Sequence, residues 1–334
     1  MNISSHYKLG VFLVWTRRSI YALVLLAAVP TALYQVLGWK WIAIPWVPIA
    51  LVGTAASFIA GFKNTQTYNR TWEARQIWGA IINSSRAWGI MARDFVAGVA
   101  EEEEQILHRQ LVYRHFAWLT ALRFQMRDPR SWEHIRTKPY NVEFKKYYRV
   151  PEWESDLGEE LEPYLTEKEC SAVLKAKNRA TQIIALQSAQ LKALKQSGQL
   201  ETFPYMQMAN LLKELYEHQG KSERIKNFPY PRQFASINLF FIRLLVILMP
   251  FGMLNEFAKL GDHGVWLTIP FSVIVGWVFT SLEQVGESTE NPFEGGANDV
   301  PITSMCRTIE SDLREILGES DLPPAIVAEN DILM

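Results

Sequence analysis

Four windows of about 20 residues carry almost no charge, and a helix of that length crosses the hydrocarbon core of a bilayer. Ser19 to Gly38 and Trp41 to Phe62 contain no Asp, Glu, Lys or Arg. Gln233 to Asn255 contains only Arg243, and Val265 to Leu282 is again free of charge. Inside a bilayer each backbone N–H and C=O needs a partner within the protein, so such windows are helices or strands of a closed barrel. No run in this chain alternates as a strand does, and the predicted fold class is all-α, with four transmembrane helices and a large helical cytosolic region. A mean hydropathy of −0.04 hides this, because it averages two unlike populations. A secretory signal fails despite Arg17 and Arg18 ahead of the first window: the apolar run is too long, and further spans follow.

The flanks on one side of the windows carry Lys8, Arg17, Arg18, Lys63, Arg70, Arg75, Lys221, Arg224, Lys226 and Arg232. The two hairpin tips carry Lys40 and then Glu256, Lys259 and Asp262. The positive-inside rule therefore places both termini and the long middle in the cytoplasm. Four buried helices of a soluble protein would fit the lengths but not this bias. The expected segments are 1–63 (an N-terminal cytosolic stretch and a hairpin with spans about 19–38 and 41–62, joined by Trp39 and Lys40) and a cytosolic helical region, 64–232. A second hairpin at 233–283, with spans about 233–255 and 265–282, and a cytosolic tail at 284–334 complete the layout.

The 34 Lys and Arg balance 35 Asp and Glu, which argues against nucleic acid as a partner. Cys170 and Cys306 form no metal or disulfide spacing, and the six scattered histidines read as surface residues, so no metal site is expected. No phosphate loop, zinc motif, nucleophile elbow or carboxylate pair with a supporting base occurs, and the chain does not read as an enzyme. In the middle region, Glu101 to Glu104 reads as a solvated helix start. Glu167 to Ser197 reads as one long helix ended by Gly198.

The second window has the most informative pattern. Thr54, Phe58 and Phe62 recur every four residues, as do Gly53, Ser57 and Gly61, which makes two adjacent stripes on a helix. The small stripe permits close helix packing. The large stripe either faces lipid or a bundle core, or lines an axis shared by several copies, where rings of Phe58 and Phe62 would form a narrow apolar constriction. Spacing alone favours the former. Lys63 to Trp78 has no Pro or Gly up to Trp78 and an i,i+3 pair in Arg70 and Glu73, so the helix is expected to continue into the cytosol. Arg243, the lone charge in a span, is a functional candidate, holding anions near a vestibule or snorkelling to the headgroups.

Gly61 to Gly79, GFKNTQTYNRTWEARQIWG, resembles the signature of bacterial members of the bestrophin family: GF, Lys or Arg, Asn, then Tyr and Arg, then EAR and WG. Asn291 to Glu310, NPFEGGANDVPITSMCRTIE, is similar to the family's NPF-plus-acidic stretch and the tail after it. A weaker match runs from GQLETF at Gly198 through SERI to Pro231. Together they cover nearly the whole chain in order. The resemblance implies a bestrophin-like homopentameric channel that passes small monovalent ions, chloride-like anions or, in some bacterial relatives, cations. It implies a pore neck at Thr54, Phe58 and Phe62, with Thr54 replacing the usual apolar residue. It also implies a cytosolic aperture at Phe203 beside Glu201, with Pro204 the one-residue alternative.

Animal bestrophins carry a calcium clasp of acidic residues after NPF. Here that run is Glu294, Gly295, Gly296, Ala297, Asn298 and Asp299, and only Asp299 keeps a carboxylate at a matching position. Calcium wants six or more oxygens, so no cofactor is expected. Asn291 and Asp299 are expected instead to hold the tail and cap the next helix. The partners expected are membrane lipids, monovalent ions and further copies of the chain. The reading from another class is a non-conducting, membrane-anchored scaffold that binds a cytosolic partner.

Overall fold

Apolar segments that cannot share backbone hydrogen bonds with solvent coil into helices, and the computed structural model of the protein, which describes residues 1–98 and 100–334, is built from them. In chain order they are α1 (Leu9–Gln35), α2 (Trp46–Phe95), α3 (Glu101–Arg127), α4 (Pro139–Phe144), α5 (Leu157–Leu161) and α6 (Glu167–Lys175). Then follow α7 (Arg179–Gln196), α8 (Thr202–Asn227), α9 (Arg232–Ala258), α10 (Thr268–Ser288) and α11 (Ile302–Ile316). Among the described residues β-pairing is limited to isolated bridges, such as Val96 with Leu200. The chain is all-helical, and α1, α2, α9 and α10 are each long and apolar enough to cross a membrane.

These four helices pack around Leu23, Ile49, Ala56, Ala60, Leu245 and Met249. A larger core, with Trp78, Trp88, Leu111, Trp118, Leu122 and Phe293, joins α3, α7, α8 and α11 to the lower half of α2. One 50-residue helix thus contributes to both cores. At 1.5 Å per residue it is about 75 Å long. The continuation expected from Lys63 to Trp78 is present and runs on to Phe95.

Several local expectations are corrected. Helix α1 extends beyond the first apolar window, from Leu9, and carries Arg17 and Arg18, which both pair with Glu143. The first hairpin turns through 36–45, including a short helix at Lys40–Ile42, and not through Trp39 and Lys40 alone. Gly38, at φ +70°, supplies the left-handed turn there. The helix expected over Glu167 to Ser197 is broken at Ala176, where Asn178 caps α7 by accepting from the Thr181 N–H at 3.0 Å. Arg70 and Glu73 do not pair with each other. Arg70 donates to the carbonyls of Ile225 and Phe228, and Glu73 pairs with Arg224, so both tie α2 to α8. His108, His115 and His218 are buried rather than surface residues.

Candidate functional site

Helix α2 has two unlike faces in the membrane. Ala56 and Ala60 are fully packed, and their small size lets α9 approach. The opposite face is open: Phe58 is 77% and Phe62 45% exposed, with Thr54 and Ser57 exposed beside them. Among the described residues Phe62 lies near one other ring, that of Phe234 on α9, at 6.2 Å. Thr54 returns its hydroxyl to the Ala50 carbonyl at 3.0 Å, so the helix itself satisfies it. The small stripe does not make the close contacts within the subunit. A Cβ on Gly61 would meet nothing within 4 Å, and one on Gly53 would make ordinary contact with Leu245 at 3.5 Å. Tighter approaches between helices are instead at Gly252 against Ile49, Gly276 against Leu23 and Gly286 against Asn64.

Phe203 stands in the first turn of α8 and is 79% exposed, with Glu201 as the N-cap residue and also exposed. The turn before it is tied to the far end of α2 by the Val96–Leu200 bridge and the Ala97 N–H on the Gln199 carbonyl at 3.0 Å. Phe203 is therefore held near the far end of the helix that carries Phe62, about 50 Å of helix away. Arg243 lies on the exposed face of α9 with Phe240 and Ile247 and has no side-chain partner among the described residues.

Sequence reasoning missed the group that anchors this face. Lys63, the residue after Phe62, pairs with Glu283 of α10 at 2.8 Å, both of them buried, and Asn238 of α9 donates to the other Glu283 oxygen. Its signal was available: Lys63 and Glu283 are the first charges after an uncharged window on each of two spans. The same acidic series continues along α10 and beyond it. Glu287 pairs with Lys138 at 2.5 Å and accepts from Tyr140, and Glu290 pairs with Arg232 at 3.0 Å.

In the NPFEGGAND loop, Asp299 accepts from the Gly295 N–H at 2.8 Å and lies 3.5 Å from the Arg127 guanidinium. Burial pushes its carboxyl up to about 6, against the pull of Arg127. Asn291 donates to Glu294 at 3.3 Å. These bonds hold the loop, but neither residue caps α11, which starts after Pro301 without a side-chain cap. Among the described residues no three His, Cys, Asp or Glu side chains are grouped to hold a metal.

The architecture has counterparts. The crystal structure of a bacterial bestrophin homolog from Klebsiella pneumoniae matches with a TM-score of 0.74 at 25% identity, over 90% of this chain and 97% of that one. The voltage-dependent anion channel-forming protein YneE of Salmonella typhi is 24% identical over 292 residues, 87% of this chain and 82% of its own. The voltage-dependent anion channel-forming protein RSc3414 of Ralstonia nicotianae is 26% identical over 286 residues, 86% of this chain and 82% of its own. The family profile described as Bacterial/Fungal Bestrophin protein matches residues 10–315. With that profile spanning both membrane hairpins and the helices between them, the chain belongs to the bacterial/fungal bestrophin family.

Proposed function

We propose that this chain is the subunit of a homopentameric channel that passes small monovalent anions down its electrochemical gradient across a bacterial inner membrane. The observation that carries the reading is the open face of α2. Phe58 and Phe62 stand exposed on a helix whose other side is fully packed. Rotation of five copies about one axis turns each of these residues into a ring at one height. Two phenylalanine rings in series, with Thr54 at the outer end, make a neck that a hydrated ion passes only when it wets. Phe203, beside Glu201, forms a second aperture at the far end of the same helix. The aromatic edges are partly positive, which suits an anion, and the relatives' names point the same way.

The pairing of Arg17 and Arg18 with Glu143 supports a cytoplasmic middle region, because it joins the foot of the first span to that region. Calcium has no part in this reading: the Arg127 guanidinium already faces Asp299, and the loop offers too few carboxylates for that ion.

Purified protein in planar bilayers tests the reading. Single-channel currents are expected, with a reversal potential under a chloride gradient of the sign that anions give. Phe62→Ala is expected to raise conductance or open probability several-fold, and Phe203→Ala to change rectification or selectivity. Silent bilayers, or two mutants with wild-type currents, would refute the pore assignment and favour a membrane-anchored scaffold.

A further inference from the structure

The first turns of α1 lean on α4 and on the loop after α10, and together they enclose a cavity of about 90 Å³. That is about three times the ~30 Å³ a water molecule occupies in the liquid, room for a ligand of a few heavy atoms. Its walls include the rings of Tyr7, Phe12, Trp15, Phe144 and Tyr148. Successive rings touch: Tyr7 with Phe144 and Phe144 with Tyr148 at 6.4 Å, and Phe12 with Trp15 at 5.9 Å. Both phenol hydroxyls are committed elsewhere, Tyr7 to the Asn298 side chain at 2.9 Å and Tyr148 to the Gly295 carbonyl at 3.0 Å. What the tyrosines offer the cavity is therefore their rings.

One polar group breaks the aromatic lining. Glu294 is 2% exposed and lines the cavity. Its Oε2 accepts from the His134 N–H at 2.9 Å and from Asn291 at 3.3 Å, while Oε1 has no hydrogen-bond partner among the described residues. The nearby guanidinium of Arg127 is directed to Glu152 and Asp299, not to Glu294. That free oxygen opens to the cavity, and ring faces attract positive charge. A metal ion would find too few oxygens here, and a neutral apolar guest would leave Oε1 unpaired.

We propose that this chamber binds a small organic ammonium, its charge against Glu294 and its alkyl groups against the surrounding rings. Burial and the neighbouring Asp299 raise Glu294 well above the ordinary carboxylate range, and a bound cation would oppose that rise. The other titratable groups around that carboxyl are Glu133 and His134 after α3, Tyr140 of α4 and Tyr148 beyond it, while Arg127 of α3 faces Asp299. The source of the ammonium is either a free amine or an amine-bearing lipid headgroup, since the chamber lies at the foot of a membrane span.

Calorimetric titration of the purified protein with choline and tetramethylammonium is the test, and it needs no conduction, so it stands apart from the channel assay. Saturable binding is expected, weakened at least about ten-fold when the uncharged tert-butyl isostere of choline replaces it. Glu294→Gln is expected to lose the same factor, and Phe144→Leu, which keeps bulk but removes a ring, to weaken choline more than the isostere. In nanodiscs, choline uptake that is blocked by phosphatidylethanolamine but not by phosphatidylglycerol identifies a lipid headgroup. Equal uptake in both identifies a free amine. Equal affinity for choline and the isostere, or no saturable binding by the folded protein, would overturn the proposal.

Discussion

His115 shows how much a single residue depends on its surroundings. The Ser85 hydroxyl donates to the Ile81 carbonyl at 2.6 Å, so the contact of 2.9 Å between His115 Nε2 and that hydroxyl oxygen requires the proton to sit on Nε2. The ring lies between Trp88 and Trp118, and burial pushes its pKa down to about 3. An unfolded histidine titrates near 6.5, so between that value and about 3 the unfolded chain binds the extra proton and the folded one does not. This contribution to stability is whole above pH 6.5 and is lost on acidification, by up to about 1.4 kcal/mol per pH unit. His115→Gln is expected to flatten that part of the curve when detergent-solubilised protein is melted across the range. A slope unchanged by the substitution would contradict the assignment. Nothing local in the sequence marked this histidine as buried, because its neighbours Arg114 and Arg123 are also buried in a helix that reads as polar. Phe58 and Phe62, by contrast, were conspicuous: their four-residue spacing and the GFKN motif that contains Phe62 are visible without coordinates.

Among the elements, α2 was the most legible and the α6–α7 pair the least. Helix α2 has an uninterrupted run of residues that tolerate helix, and its continuation past the membrane follows from the absence of proline. The break at Ala176 involves no glycine or proline; it rests on the Asn178 side chain, which accepts from the Thr181 N–H and from Gln219 and donates to Glu223 of α8. What orients α2 is also tertiary. The Lys63–Glu283 pair joins it to α10, and removing one member leaves the other charge buried and alone. Lys63→Met is expected to cost about 3–5 kcal/mol, while Lys63→Met with Glu283→Leu recovers most of that loss, measured by thermal unfolding in detergent. Equal destabilisation by the single and double variants would show that the pair does not act as a unit.

At the scale of the whole molecule, the single subunit leaves several groups uncovered. Arg243 faces outward from the middle of a span with no partner, and such a charge against lipid costs about 2.5–3.5 kcal/mol or more. Phe58, Phe62 and Phe203 are similarly uncovered. In the proposed five-fold assembly these groups would meet neighbours or a water-filled axis, and native mass spectrometry of the detergent-extracted protein is expected to show five chains. A monodisperse single chain would sink that arrangement. The sequence by itself determined the helical class, the four apolar spans and the identity of the aromatic stripe, because each is written in local composition and periodicity. Only the tertiary structure decided which face of α2 is packed, which acid meets Lys63, and that five distant rings and Glu294 share one chamber. Those outcomes depend on contacts between residues far apart in the chain, and no local pattern encodes them.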